Sequence, residues 1–215
     1  MDYSNLIKLY FDEKQNVAKN FPVEELNKLT AKLIETYEND GTVYTMANGG
    51  ATSVSEGFST DIATHPYVLE DKTKTTDIRR IKFCSLTSSS GLLTGISNDI
   101  GFDNIFKEQL KNFLRSKKEN TKDILIAFSG SGNSKNVINA INYAKDFGVF
   151  TCCITGRDGG KVKEIADLSI IIPGSSKFPG QTGPNDNNFH IEDFQGSVTH
   201  VLTGLLKMHI ENKQN

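Results

Sequence analysis

The chain changes hydrophobic rhythm once. Residues 3–38 repeat apolar positions at helical spacing, predicting one helix from Asn5 to about Lys19 and a second from Pro22 to Glu38. In the second, Leu26, Leu29, Leu33 and Ile34 make one stripe. Pro22 suits its first position, and Asn20 stands nearby as a cap. From residue 42 short apolar runs alternate with amphipathic segments. The runs predict strands at Thr42–Ala47, Ile81–Leu86, Asp123–Phe128, Gly148–Thr155 and Leu168–Ile172. The segments between predict helices at Thr52–Ala63, Ser89–Ser97, Asn104–Ser116, Asn133–Asp146 and Lys161–Ala166, with a last one over roughly Asn188–Asn212. A β-then-α order argues for an α/β doubly wound, mainly parallel five-stranded sheet. The two N-terminal helices precede the first strand and cannot be crossovers. Their stripe needs another surface, on this subunit or on a partner.

Ligands of such sheets sit outside the carboxyl ends of the strands. Three polar turns fall there: Asn48-Gly49-Gly50, the run Thr87–Ser90, and Ser129-Gly130-Ser131-Gly132-Asn133-Ser134. They are expected to converge on one pocket. In the third, an apolar strand stops at small hydroxyl and glycine residues and a helix follows. Backbone N–H groups, hydroxyls and the positive end of the helix dipole then point at one spot, an anion cradle suited to phosphate. It is neither a P-loop, since no Lys follows the glycines in the required place, nor G-x-G-x-x-G, since Asn133-Ser134-Lys135 follows Gly132. Neutral serine donors suit a phosphate that is held and released without transfer. The competing reading is an ordinary Ser/Gly-rich βα turn. Two loops are predicted, a charged one over 66–80 and a Pro/Gly-rich one over 173–187. The length of the second suits a lid, an interface arm or a disordered insertion.

Bulk composition removes several function classes. At 215 residues the chain fits one large domain, or a domain plus an appendage. A formal net charge of −2 supplies no basic field for nucleic acid. Cys84, Cys152 and Cys153 lie in or beside predicted strands without C-x-x-C spacing, which argues against a zinc ribbon and fits reduced core cysteines in a cytoplasm. No signal peptide is expected from Met1-Asp2-Tyr3-Ser4, and no apolar run approaches membrane-spanning length. The Lys117-Lys118-Glu119-Asn120 segment reads as a solvated loop.

The alternating order, the Ser129–Ser134 turn and Thr155-Gly156-Arg157-Asp158-Gly159-Gly160 resemble the sugar isomerase (SIS) domain family. Three stretches are similar to its sedoheptulose 7-phosphate isomerase branch: Ala47-Asn48-Gly49-Gly50-Ala51, Ser97-Asn98-Asp99-Ile100-Gly101-Phe102 and Val198-Thr199-His200-Val201-Leu202. The resemblance covers nearly the whole chain. It implies one flavodoxin-like SIS domain over 1–215, with a helical extension over 1–40 and the core over 41–212. It also implies a homotetramer, N-terminal helices packed between subunits, and pockets at the interfaces.

The roles it implies are these. Ser129, Ser131 and Ser134, with Gly130, hold the phosphate. Asn48, Gly49, Gly50, Asn98 and Asp99 touch the sugar. The family base, a Glu on the helix after N-G-G, corresponds to Asp61, and its partner His to His200. Many members bind zinc through a His, that Glu, a Gln and the last-helix His. The first His aligns with Gly57 and the Gln with Glu192, so Asp61, Glu192 and His200 remain as a metal set; Glu192 or its neighbour Asp193 would face the pocket. The family Arg just after the base aligns with His65. The implied reaction moves a proton between C1 and C2 of sedoheptulose 7-phosphate through an enediol. That needs a base for the carbon proton and an acid/base for the oxygens, the roles expected of Asp61 and His200. A non-catalytic phosphosugar-binding or protein-bridging SIS protein, or an isomerase or epimerase of another sugar phosphate, are the alternatives.

Overall fold

The computed structural model describes residues 1–180 and 186–214; residues 181–185, within the loop expected over 173–187, lie outside the described residues. Five strands, β1 (Thr42–Ala47), β2 (Lys82–Ser85), β3 (Ile124–Phe128), β4 (Phe150–Gly156) and β5 (Leu168–Ile172), form one parallel sheet in the order β2-β1-β3-β4-β5. The central strands are buried along their length. Their sequences are accordingly continuous apolar runs, as strands covered on both faces require.

One face is covered by α2 (Val23–Glu38), α3 (Ala51–Thr64) and α9 (Asn188–Gln214), whose side chains join a core containing Leu29, Leu33, Phe58, Ile62, Val198 and Leu202. The other is covered by α5 (Ile105–Leu110), α7 (Lys135–Asp146) and α8 (Val162–Ile165), around Phe106, Leu110, Val137 and Ile141. The remaining helices are α1 (Ser4–Lys19), α4 (Ser90–Asp99) and the one-turn α6 (Lys117–Asn120). No described helix is long and apolar enough to cross a membrane.

Of the two surfaces open to the α2 stripe, this subunit supplies it: Leu29 and Leu33 are fully buried against this chain's own sheet and α9. It is α1 that presents Leu6, Ile7 and Phe11 to solvent. Three expectations are corrected. Pro22 is the cap of α2 rather than its first residue, and no side chain caps that end. The helix expected over Asn104–Ser116 stops at Leu110, and Lys117–Asn120 is a helical turn rather than a solvated loop, with Asn120 buried beneath it.

Candidate active site

Register brings the turns together. Ala47 pairs with Phe128, and Phe128 with Ile154, so the chain leaves β1, β3 and β4 side by side. Asn48 and Asn136, in the first turn of α7, exchange two amide hydrogen bonds of 2.9 Å each. The Asn48 amide, expected on the sugar, is therefore committed to tying the N-G-G turn to the cradle helix. Asn136 has no signal in the sequence, since an Asn inside a helical pattern carries no motif.

The Ser129–Ser134 turn is built from short local bonds. Ser129 Oγ accepts from Gly132 N–H at 3.2 Å, and Ser131 Oγ accepts from Asn133 N–H at 3.3 Å. Gly132 has φ +65°, and a Cβ there would lie 2.1 Å from the carbonyl oxygen of Gly159. Its own carbonyl accepts from Val162 N–H at 3.0 Å. The cradle and the turn after β4 thus form one unit, closed by backbone contacts that admit only glycine. Ser134 stands at the N-cap of α7 with no side-chain bond to the helix, and of the first-turn N–H groups that of Val137 is taken by Asn136 Oδ1 at 2.9 Å.

The start of α9 lies against both turns. Asn188 Oδ1 is 2.6 Å from where a Cβ of Gly130 would be, and the Glu192 carboxylate is 2.5 Å from the same point on Gly50. Asn188 donates to Glu192 at 2.9 Å. Glu192 therefore faces the N-G-G turn. Asp193 turns away to α1, where it accepts from the Tyr10 hydroxyl and pairs with Lys14 at 2.9 Å. Burial and that carboxylate push the Tyr10 hydroxyl well above its ordinary value. His190, which carried no assigned chemistry, is fully buried, with Nε2 3.0 Å from Glu13. Glu13 also accepts from Ser176 Oγ and Lys177 N–H, each at 2.7 Å, which fastens α1 to the loop after β5.

Asp61 and His200 are brought together. Asp61 Oδ2 is 3.6 Å from His200 Nε2, and Asp61 Oδ1 is 3.8 Å from His65 Nε2. They line an open groove of about 800 Å³ with Val68, Leu69 and Lys207. That groove is not the expected common pocket. α3 begins at the N-G-G turn, and its stretch from Ala51 to Asp61 is about 15 Å long. α9 begins at the cradle, and its stretch from Asn188 to His200 is about 18 Å long. Within one chain the acid–base pair stands a helix length from the phosphate cradle. Asn98 and Asp99 are exposed at the end of α4, bonded to each other at 2.8 Å.

The same spacing tests the expected metal set. Glu192 lies over Gly50, so it does not meet Asp61 and His200 at one point. Among the described residues no group of three His, Cys, Asp or Glu side chains is placed to hold an ion. The donors of one chain do not build the zinc site that the resemblance implied.

A five-stranded parallel sheet with a Ser/Gly turn at its carboxyl edge, and a carboxylate beside an imidazole on the covering helices, defines the class as a doubly wound α/β protein. The model of the SIS domain family matches residues 9–156. Phosphoheptose isomerase of Helicobacter pylori (strain P12) is 33% identical over 190 residues, covering 88% of this chain and 86% of that protein. Phosphoheptose isomerase of Aliarcobacter butzleri (strain RM4018) is 35% identical over 172 residues, covering 79% and 84%. Among solved structures, a phosphoheptose isomerase from Neisseria gonorrhoeae superposes with a TM-score of 0.76 at 23% identity, covering 95% of this chain and 98% of its own. One from Francisella tularensis gives 0.77 at 20% identity, covering 97% and 100%. The chain belongs to the SIS domain family.

Proposed function

We infer that this chain is a phosphosugar aldose–ketose isomerase that converts sedoheptulose 7-phosphate to D-glycero-D-manno-heptose 7-phosphate in heptose biosynthesis. The observation that carries it is the Asp61 carboxylate facing the His200 imidazole in a chain matched nearly end to end by phosphoheptose isomerases.

The cradle holds the phosphate through Ser129, Ser131, Ser134 and the first N–H groups of α7. Anchoring it fixes the sugar without spending charge at the reacting carbons. Asp61 takes the proton from C1 while His200 gives one to the carbonyl oxygen on C2, leaving the enediol. Asp61 then returns its proton to C2, and His200 recovers one from the oxygen on C1. Each group ends in the state in which it began.

The helix-length separation of cradle and acid–base pair supports a working site composed across copies, with the phosphate on one copy and the proton transfer on another. The exposed apolar residues Leu6, Ile7 and Phe11 of α1 suit a contact between copies, and a homotetramer is the proposed assembly. Zinc, expected from the resemblance, enters this reading only as an additive to be tested.

Proton NMR of the purified protein with sedoheptulose 7-phosphate, with added zinc and with chelator, tests the reading. Appearance of the aldoheptose phosphate is expected. Binding of the sugar phosphate without conversion in any arm would make the chain a binding protein.

A further inference from the structure

A polar cluster that the mechanism leaves unused lies between α3 and the end of β2. Thr45, Ser55, Ser85 and Thr87 are all buried, none more than 8% exposed. Their hydroxyls are linked: Thr45 to Ser55 at 2.8 Å, Ser55 to Ser85 at 3.2 Å and Ser85 to Thr87 at 2.7 Å. The chain of hydroxyls ends on Glu56, whose Oε1 lies 2.9 Å from Ser85 Oγ and 2.7 Å from Thr87 Oγ1. A hydroxyl has one proton to give, so a closed run of hydroxyls needs a final acceptor that donates nothing, and an ionised carboxylate is one.

The arrangement is costly as a purely structural device. Glu56 is half-buried, yet among the described residues no Lys, Arg or His pairs with it. A half-buried carboxylate without a cation loses hydration that neutral hydroxyls replace only in part. Its Oε1 is saturated and its orientation locked, while Oε2 has no hydrogen-bond partner among the described residues. Thr87 opens the polar turn at the carboxyl end of β2, on the ligand side of a parallel sheet.

An anionic acceptor held in place by buried hydroxyls calls for a ligand rich in O–H donors. We propose that Glu56 is a substrate-binding, specificity-determining residue, accepting hydrogen bonds through Oε2 from hydroxyls of the sugar chain. This rests on the sugar-phosphate reading above.

Glu56→Gln keeps the shape and an oxygen for Ser85 and Thr87, but turns the ligand-facing atom into a donor. The expected result is a KM for sedoheptulose 7-phosphate raised about tenfold or more. kcat stays within about threefold, inhibition by inorganic phosphate is unchanged, and the melting temperature is not lowered. An unchanged KM with a lowered melting temperature would make the cluster structural and overturn the inference. If Glu56→Gln fails to fold, Glu56→Asp, which draws the carboxylate back by one methylene, is read by the same criteria. If the wild type binds sedoheptulose 7-phosphate without turning it over, the isomerase reading fails alone. The calorimetric Kd then replaces KM, and equal values in wild type and variant overturn the inference. No binding by the wild type removes both readings.

Discussion

At the scale of single residues, the site is legible where its chemistry is local and hidden where it is not. The serine cradle reads directly from sequence because a strand, small residues and a helix in succession dictate the shape. Gly132 shows how tightly. Gly132→Ala forces a side chain into a positive-φ position and into the carbonyl of Gly159. The expected cost is roughly 1–3 kcal/mol of stability together with loss of phosphate inhibition, read by thermal melting and by competition with inorganic phosphate. Asp61 and His200 were legible only through resemblance, since a carboxylate and an imidazole on separate helices share no local pattern. Asp61→Asn and His200→Ala are each expected to lower kcat by about 10²–10⁴-fold, with binding of inorganic phosphate retained. Full turnover in both variants would refute the assignment. Asn136, Glu13 and Glu56 had no sequence signal at all. Their partners lie far along the chain or on another element, and only the folded contacts reveal them.

At the scale of elements, hydrophobic rhythm located the strands well because each is buried on both faces. Helix ends were harder. The helix expected to reach Ser116 stops at Leu110, because Leu114 is buried from irregular backbone beyond the helix and apolar spacing alone does not separate the two. The stripe on α2 was visible, but its partner was not: whether an apolar face meets its own sheet or another copy depends on topology rather than on periodicity. Strand ends are also pinned by carboxylates. Asp167 accepts from Thr151 N–H at 2.9 Å and Thr151 Oγ1 at 2.8 Å, and pairs with Lys145 at 2.9 Å. Burial pushes its carboxyl up, but the Lys145 and Thr151 contacts outweigh that and hold it below the ordinary carboxylate value. A carboxyl depressed in the folded state adds stability that is complete above its unfolded value and lost as pH falls through its folded one. Asp167→Asn is therefore expected to lower stability at neutral pH and to flatten the loss below about pH 4. Urea unfolding across pH 2.5–7 (about that range) checks it, and an unchanged acid limb would show that the contact carries no linkage.

At the scale of the whole molecule, one sheet supports two separated pieces of chemistry. α3 and α9 both start at the carboxyl edge, touching the phosphate cradle and the N-G-G turn, and both carry their reactive group far down the helix. The length of α3 between those points, about 15 Å, exceeds what a heptose phosphate spans between its phosphorus and its first carbons, which in the proposed reading leaves a single copy holding the sugar at one end only. The proposed remedy is a second copy that brings its Asp61 and His200 to the first copy's cradle. This makes a prediction that does not depend on seeing the assembly. A Ser131→Ala, Ser134→Ala double variant keeps only Ser129 and the backbone of the cradle, and an Asp61→Asn variant has no base, so each alone is expected to be strongly impaired. Co-expressed and allowed to mix, they form some sites that take an intact cradle from one chain and an intact pair from the other. Random mixing restores about one quarter of wild-type sites if cradle and pair come from different copies. If both belonged to the same chain, every site would still lack one half, and the mixture would be as inactive as its parents.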